Sequence, residues 1–276
     1  MSISATEINE AADFIQSKID KAPAVAMILG SGLGDLAEEI EEPVYIPYNE
    51  IPHFPVSTVE GHAGRLVIGR LQGKEVIAMQ GRFHYYEGYS MQEVTFPVRV
   101  MKSLGAENLI VTNACGGMNK NYQPGDLMVI EDHLNMTNDN PLIGENLEAF
   151  GPRFPDMSTA YNKEFQKLAH RCAEKEGLTL QQGVYAGITG PYFMSAAELI
   201  MLRRLGGDVV GMSTVPEVIV AQHSGMNILG ISCVTDMAVG EDLQGVTHQE
   251  VMETAARTKP KFISLVKEII KSMPAS

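Results

Sequence analysis

The chain has 276 residues, of which 45% are hydrophobic and 20% are charged. This composition is typical of a globular protein that can bury one large core. Its formal net charge is −13, so the chain as a whole repels nucleic acid and anionic membrane surfaces. We therefore expect no nucleic-acid or membrane partner, and any anionic ligand must be held by local groups.

The cysteines and the amino terminus indicate a reducing compartment. Cys115, Cys172 and Cys233 are odd in number and widely spaced, which argues against a disulfide framework or a zinc ribbon. The opening residues, MSISATEINEAADF, carry acidic side chains and lack the apolar core of a signal peptide. No stretch approaches the roughly 18 apolar residues of a membrane span. These features predict a cytoplasmic protein.

Taken in chain order, the hydrophobic pattern predicts helices and strands in alternation. Ser4 to Ile19 opens with Ser-x-x-Glu and then places its apolar residues on one helical face. Short apolar runs follow as strands, at AVAMIL, RLVIGRL, EVIAMQ, NLIVTNA, DLMVIED, GVYAGIT, DVVGM and NILGISCV. Further helical patterns lie at 91–104, 158–176, 195–205, 214–224 and 247–272, and Pro260 is expected to kink or break the last.

This alternation predicts the fold class. Strands that are separated by helices form a central, twisted, mostly parallel or mixed β-sheet with helices on both faces. No internal repeat or linker composition interrupts the chain, so residues 1–276 are expected to form a single α/β domain. The stretch 133–156, rich in Asn, Asp, Gly and Pro, is predicted to be a long loop, and such loops are commonly functional.

A glycine-rich turn, Gly30-Ser31-Gly32-Leu33-Gly34, follows the first predicted strand. A dinucleotide fingerprint needs a different glycine spacing and an acid at the end of a second strand. Here that place holds PYNEIPHFP, whose prolines spoil a central strand. What remains is a turn with free N–H groups and a helix that starts near Leu33, which attracts an anion. From these residues alone, a tight turn without a ligand is an equally good explanation.

A second polar cluster, GRFHYYEGY, follows the predicted strand EVIAMQ. Arg82 offers a planar fork that suits phosphate oxygens, and Glu87 can hold His84 in one tautomer. Because α/β proteins place their sites at strand ends, these residues are candidates for an anion clamp. The alternative is a surface ion pair between Arg82 and Glu87. Upstream, His62 lies in a glycine-flanked loop, a placement that suits a moving lid.

Two predicted helix starts carry further candidates. In GMSTVPE, Thr214 and Glu217 have the spacing of a capping box. Ser213 would then lie beside the free N–H groups of the helix as a second anion contact. In THQE, the same pattern puts His248 in the first turn of the last helix. A solvated surface histidine is the alternative at that position.

Several of these stretches together resemble the trimeric purine nucleoside phosphorylase family over nearly the whole chain. The residues that carry the resemblance are LGSGLG, STVEGHAGRL, MQGRFHYYEGY, VTNACGG, FGPRFPDMS, GMSTVPEVIVA and THQEV. The resemblance implies an enzyme that cleaves the N-glycosidic bond of a purine (deoxy)ribonucleoside with inorganic phosphate, giving free base and (deoxy)ribose 1-phosphate. It also implies a homotrimer, no metal and no organic cofactor, with phosphate as a co-substrate.

The same resemblance implies roles for individual residues. Phosphate is expected to be bound by Ser31, His62, Arg82, His84, Ala114 and Ser213. The sugar is expected to contact Tyr86, Met212 and His248, with Phe150 supplied by the neighbouring subunit. The implied base site consists of Phe193, Met194, Thr235 and Asp236. The implied catalytic set is His84, Glu87 and Asp236, in which Glu87 orients His84.

Two residues of the implied base site depart from the family pattern. Met194 stands where the family has a glutamate that binds N1–H and the 2-amino group of a 6-oxopurine. Asp236 stands where the family has an asparagine that contacts O6 and N7. A thioether accepts only weakly and an ionised carboxylate cannot donate. We therefore predict that 6-aminopurine nucleosides such as adenosine are used at least as well as inosine or guanosine. If burial instead protonates Asp236, 6-oxopurines remain substrates.

Two alternative functions stay open from the sequence. Related methylthioadenosine phosphorylases also carry an aspartate at the position of Asp236, which favours a similar activity, whereas His248 suits a 5′-hydroxyl better than a methylthio group. A non-catalytic purine- or phosphate-binding protein is the second alternative, and it would not need an oriented pair of His84 and Glu87. Release of free purine that depends on added phosphate distinguishes the enzyme from the binding protein.

Overall fold

The computed structural model describes residues 3–59 and 62–274, and within them nine strands form one mixed sheet. Gly61, which precedes His62 in the predicted flexible loop, lies outside the described residues. The strands are β1 (Val25–Leu29), β2 (Glu41–Pro47), β3 (Arg65–Leu71), β4 (Lys74–Gln80), β5 (Asn108–Gly117), β6 (Leu127–Asn135), β7 (Leu180–Gly187), β8 (Val209–Gly211) and β9 (Asn227–Met237). The helices are α1 (Ala5–Gln16), α2 (Met91–Ser103), α3 (Lys163–Lys175), α4 (Ala196–Arg204), α5 (Val215–His223) and α6 (His248–Ser272). The predicted α/β class is confirmed.

The sheet runs in both directions and closes partly on itself. Its strand order is β2-β3-β4-β1-β5-β8-β7-β6-β9, and β9 also pairs with β5. β1 is parallel to β4 and β5, and β5 is parallel to β9. β2, β3 and β4 are antiparallel neighbours. Gln72 and Gly73, with φ of 51° and 79°, make the two-residue turn that joins β3 to β4 without a crossover helix.

Helices cover both faces of this sheet. α1, α2 and α5 pack on one face, and α3 and α6 on the other. β1 lies between the two layers and is buried along its whole length, with Ala26 and Ile28 facing the first layer and Met27 and Leu29 the second. Burial on both faces explains why its sequence is a continuous apolar run instead of an alternating one.

Three elements differ from the sequence prediction. The prediction omits β2, an edge strand whose residues are mostly exposed and include proline. α3 begins at Lys163 and not near residue 158, because the Asn162 side chain caps it by accepting from two N–H groups of the first turn. α6 runs unbroken through Pro260, so the break expected there is absent. Ala255 and Phe262, on either side of this proline, are both buried and hold the helix on the core.

The loop between β6 and α3 contains no regular element from residue 136 to 162. Its first predicted residues, 133–135, belong to β6. The long loop predicted around 133–156 is otherwise confirmed. None of the helices in the described ranges combines the length and the apolar character needed to cross a membrane.

Candidate active site

One cavity lies where the parallel strands β1, β4, β5 and β9 end. Carboxyl ends of parallel strands meet at the same edge of a sheet, which is where α/β proteins bind ligands. Most of the predicted site residues line this cavity, namely Ser31, Arg82, His84, Tyr86, Ala114, Phe193, Met194, Met212, Ser213, Thr235, Asp236 and His248. His62 and Glu87 lie behind it in contact with lining residues. Phe150 is not part of its wall.

The glycine turn brings Ser31 to the cavity through close backbone contacts. A Cβ on Gly30 would come within 2.8 Å of the Cα of Asn113 in β5. Gly32 has a φ of +75°, and a Cβ there would approach that of Ala255 in α6 to 2.5 Å. The helix predicted to start near Leu33 is a short 3-10 helix, Gly34–Glu39. So short a helix has little dipole, which leaves the Ser31 hydroxyl and the turn itself to meet a ligand.

Arg82 is buried at the inner end of the cavity, with 1% of the residue exposed. Its Nε and Nη2 donate to Oε1 of Glu217 at 3.0 and 2.7 Å, and Nη1 donates to the carbonyl of Thr112 at 2.5 Å. The alternative of a surface ion pair between Arg82 and Glu87 is therefore wrong. Glu217, in the first turn of α5, neutralises the guanidinium instead.

The start of α5 is a strained turn without a side-chain cap. Thr214 has a φ of 73° and a ψ of −54°, and the N–H of Val215 donates to the carbonyl of Ser213 at 2.8 Å. Together these features define the rare, strained form of the γ-turn. The Thr214 hydroxyl accepts from Nδ2 of Asn113 at 2.9 Å. The predicted capping box of Thr214 and Glu217 is wrong, because Thr214 bonds to Asn113 of β5 and Glu217 bonds to Arg82 in the segment that follows β4.

Glu87 fixes His84 from behind. Its Oε1 accepts from the backbone N–H of His84 at 2.7 Å and lies 3.2 Å from Nδ1. Its Oε2 accepts from the N–H and the hydroxyl of Thr58 at 2.9 and 2.5 Å. Burial raises the pKa of the Glu87 carboxyl, but the hydrogen bonds from His84 and Thr58 outweigh it and bring this pKa down to about 2.

His84 is held neutral at pH 7. Burial lowers the pKa of His84, and the charge of Arg82 lowers it further, against the opposing hydrogen bond with Glu87. A neutral imidazole that donates Nδ1–H to the Glu87 carboxylate presents Nε2 as a bare acceptor. The cavity therefore contains a positioned base beside the buried cation.

His62 and Tyr86 stack on the two sides of His84. The His84 ring lies 4.6 Å from that of Tyr86 and 5.7 Å from that of His62. His62 Nε2 lies 3.5 Å from the Ser31 hydroxyl, and its Nδ1 accepts from the N–H of Arg82 at 3.3 Å. Burial lowers the pKa of His62 to about 4, with help from the charges of His84 and Arg82.

The opposite end of the cavity is apolar and more open. Met194 packs against the small cluster that includes Leu199, and 52% of Phe193 is exposed. Asp236, at the end of β9, accepts from the Thr235 hydroxyl through Oδ1 at 2.9 Å. Burial raises the pKa of the Asp236 carboxyl. A flat molecule bound at this end would meet apolar side chains and a single carboxyl group.

The predicted sugar residues lie in two places. Tyr86 and Met212 line the cavity, and His248, the first residue of α6, lines it as an exposed residue. Phe150 packs elsewhere, with its ring centre 5.5 Å from the guanidinium carbon of Arg99. The structure thus does not bring Phe150 to the cavity of its own chain.

Three residues that support the cavity are not among the predicted site residues. Thr58 holds Glu87, Asn113 holds the strained turn, and Glu217 holds Arg82. A buried arginine needs a counter-ion. The position of Arg82 at the end of a buried strand therefore indicates that a further acidic residue lies beside it. Within the described residues, no group of three His, Cys, Asp or Glu side chains could hold a metal ion.

Comparisons with known proteins agree with this geometry. The sequence profile described as the Phosphorylase superfamily matches residues 24–271. The chain is 58% identical over 268 residues to purine nucleoside phosphorylase 1 of Geobacillus stearothermophilus, which covers 97% of this chain and 98% of that relative. It is 47% identical to the purine nucleoside phosphorylase of Rattus norvegicus, over 95% of this chain and 93% of that relative.

Solved structures give the same result. The crystal structure of Schistosoma mansoni purine nucleoside phosphorylase in complex with adenosine matches with a TM-score of 0.95 at 41% identity, over 100% of both chains. The complex of the Schistosoma mansoni enzyme with inosine matches with a TM-score of 0.95 at 40% identity, again over 100% of both chains. The chain therefore belongs to the purine nucleoside phosphorylases, which are pentosyltransferases of the phosphorylase superfamily.

Proposed function

We propose that this chain cleaves purine nucleosides by phosphorolysis, with Ser31, Arg82, His84 and Ser213 holding the phosphate. The observation that carries the proposal is the convergence of these four side chains on one cavity. Inorganic phosphate is the co-substrate, and the proposed reaction uses no metal and no organic cofactor.

The proposed reaction follows from the charges around the cavity. Loss of the base builds positive charge on the sugar, and a phosphate dianion beside the ring stabilises that charge. A phosphate oxygen forms the new bond to C1′ while the C1′–N9 electron pair leaves with the purine. The proton that the hydrogen phosphate gives up balances the proton that the purine gains. Nε2 of His84 is free to accept a hydrogen bond and is the proposed first acceptor of that proton.

Positioning is the main contribution of the protein in this proposal. A reactant held in the right geometry can save about 7–11 kcal/mol of activation free energy in the best cases. The buried pair of Arg82 and Glu217, the pair of His84 and Glu87 and the γ-turn at Thr214 are all fixed by hydrogen bonds within the protein. Such groups need little reorganisation when phosphate binds.

We also propose that 6-aminopurine nucleosides are used at least as well as 6-oxopurine nucleosides. Met194 offers no charged acceptor for N1–H, and Oδ1 of Asp236 is engaged by Thr235, which leaves Oδ2 for the base. An ionised Oδ2 accepts from a 6-amino group and repels a 6-oxo group. The Schistosoma mansoni enzyme has been crystallised with both adenosine and inosine, so individual side chains are expected to decide the preference.

Methylthioadenosine is the second candidate substrate. Leu243 and Val246 line the cavity next to His248, and an apolar wall at that place suits a 5′-methylthio group. His248 itself suits a 5′-hydroxyl, which keeps adenosine first.

A homotrimer is the proposed assembly, with Phe150 completing the sugar pocket of a neighbouring copy. Phe150 lies outside the cavity of its own chain. Ile143 and Phe154, on the same loop, are 60% and 89% exposed. Exposed apolar side chains of this size favour a protein partner, and a second copy is the partner that the family implies. Light scattering should give three times the chain mass, and Phe154→Asp should lower it.

The test of the proposed activity is one assay with four substrates. Adenosine, inosine, guanosine and methylthioadenosine are each incubated with the enzyme in phosphate buffer, and kcat/KM is measured from purine release. We expect all turnover to require phosphate, and we expect adenosine to equal or exceed inosine and guanosine. A strong preference for inosine or guanosine would refute the roles given to Met194 and Asp236. No purine release from any of the four would favour a binding protein.

A further inference from the structure

α5 departs from a pattern that four of the other five α-helices share. Glutamates at the third position of α1, α2, α4 and α6 each close a capping box with the hydroxyl residue before the helix, namely Glu7, Glu93, Glu198 and Glu250. α5 has the same sequence spacing, from Thr214 to Glu217, but no bond to its own cap residue. A capping bond stabilises a helix start, so its absence here needs another explanation.

The two carboxylate oxygens of Glu217 are used unequally in its hydrogen bonds with Arg82. Oε1 accepts from both Nε and Nη2 of Arg82, while Oε2 is buried without a hydrogen-bond partner among the described residues. A bidentate pair would use both carboxylate oxygens. A guanidinium has five N–H donors; Glu217 takes two and the Thr112 carbonyl takes one. The two that remain are available to a ligand in the cavity that Arg82 lines.

The charge of Glu217 acts in two opposite directions. The side chains of Arg82 and Glu217 are only 2% and 3% exposed, and a buried guanidinium is stable only with a counter-ion. Glu217 therefore neutralises the Arg82 guanidinium at this end of the cavity. When a phosphate dianion binds next to Arg82, the same carboxylate repels it through a medium of low dielectric constant.

We propose that Glu217 is a positioning residue that aims the Arg82 guanidinium at the phosphate and, through its charge, limits how tightly phosphate and the sugar 1-phosphate product bind. This inference rests on the proposed function, since it assumes that phosphate is the anion beside Arg82. Position and charge can be separated by two substitutions.

Glu217→Gln removes the charge and keeps the position. The amide oxygen replaces Oε1 as the acceptor, and the NH2 group takes the place of Oε2, which has no partner to lose in the part of the chain that the structure describes. We expect phosphate to bind about tenfold more tightly, because one nearby negative charge is gone. We expect kcat to fall as release of the sugar phosphate slows, while KM for the nucleoside is unchanged.

Glu217→Asp keeps the charge and moves the position. The side chain is one methylene shorter, so Arg82 must move or lose a bond, and we expect KM for phosphate to rise by about tenfold or more. Glu93→Gln is the matched control, since it removes a charge at the same helical position of α2 in an exposed capping box. It should leave KM for phosphate unchanged.

Calorimetric titration of each protein with inorganic phosphate gives a readout that does not need turnover. Opposite changes of the phosphate Kd in Glu217→Gln and Glu217→Asp, with none in Glu93→Gln, support the inference. Equal Kd values in all four proteins, or weaker binding in Glu217→Gln, overturn it and leave Glu217 a structural residue. If wild type binds phosphate but releases purine without it, the proposed function fails while this inference stands or falls on the titration alone.

Discussion

The two ends of the cavity are built in different ways. At the phosphate end, Arg82 and His84 are buried, and each is fixed by a carboxylate, Arg82 by Glu217 of α5 and His84 by Glu87 three residues along the chain. At the base end, Met194 is held by packing and Phe193 is 52% exposed, and among the described residues Asp236 is bonded only to its chain neighbour Thr235. The first end is rigid and charged, whereas the second is apolar and open.

The difference suggests a division of work. Preorganised charged groups are what a transition state with developing charge requires. A loosely held apolar surface with one carboxyl group can accept different purines as single residues change. Substitutions at the phosphate end should therefore abolish turnover, and substitutions at the base end should redirect it.

The largest expected effect is that of His84→Ala. Removal of a positioned proton acceptor costs about 10²- to 10⁴-fold in rate, so kcat/KM should fall in that range for every purine nucleoside. His170→Ala, which replaces a partly exposed histidine bonded to Gln182, serves as the control and should keep full activity. A His84→Ala enzyme within a few-fold of wild type would remove the difference between the two ends.

The phosphate end should also determine stability in acid. The pKa of His62 is lowered to about 4 in the folded protein, first by burial, against about 6.5 in the unfolded chain. Because folding disfavours the protonated form of His62, protonation of this histidine lowers the free energy of unfolding. The contribution of neutral His62 to stability is complete above pH 6.5 and is lost as the pH falls from 6.5 to 4. It amounts to about 2 kcal/mol after allowance for partial exposure.

Thermal unfolding between pH 7.5 and 4.5 measures this effect. Tm of wild type should fall more steeply than that of His62→Asn over this range. Glu87, with its pKa near 2 against an ordinary value of 4.5, adds a further loss only below about pH 4.5. Parallel curves for the two proteins would show that His62 is not buried as described.

At the base end, Asp236→Asn should change specificity more than rate. An asparagine can donate to O6 and accept from N7–H, so the ratio of inosine to adenosine kcat/KM should rise by about tenfold, the value of one charge-assisted hydrogen bond. An unchanged ratio would mean that Asp236 does not face the base. Loss of turnover with all purines would instead support the catalytic role expected for this residue.

The smallest expected effect is that of Ser195→Ala. The Ser195 hydroxyl caps α4 beside the base end, with Glu198 closing the box. Its loss should cost about 1 kcal/mol of unfolding free energy, with KM for phosphate unchanged. A rise in KM for phosphate would contradict this expectation and show that the two ends are coupled.

The sequence was sufficient where the signal is local. The apolar run of β1 predicts a strand buried on both faces, and Ser4 with Glu7 predicts the start of α1. The motifs around Ser31 and Arg82 were correctly placed at strand ends that share one cavity.

The sequence was insufficient where the partner is distant. Thr214 and Glu217 have the same local spacing as Ser195 and Glu198, yet only the second pair forms a capping box. The difference lies in Arg82, which is 135 residues from Glu217 in the chain. A local pattern cannot show that a buried cation competes for the glutamate. The edge strand β2 was missed for a related reason, since its pairing with β3 and not its own pattern makes it a strand.

The most direct test of the phosphate end is the fate of the sugar. The enzyme is incubated with adenosine or inosine and inorganic phosphate. The amount of sugar 1-phosphate, measured by ³¹P NMR, is compared with the amount of purine released. We predict one equivalent of sugar 1-phosphate for each purine released, and no release when phosphate is omitted. Purine released at the same rate without phosphate, together with free ribose, would contradict the account, because water and not the anion held by Ser31, Arg82, His84 and Ser213 would then be the nucleophile.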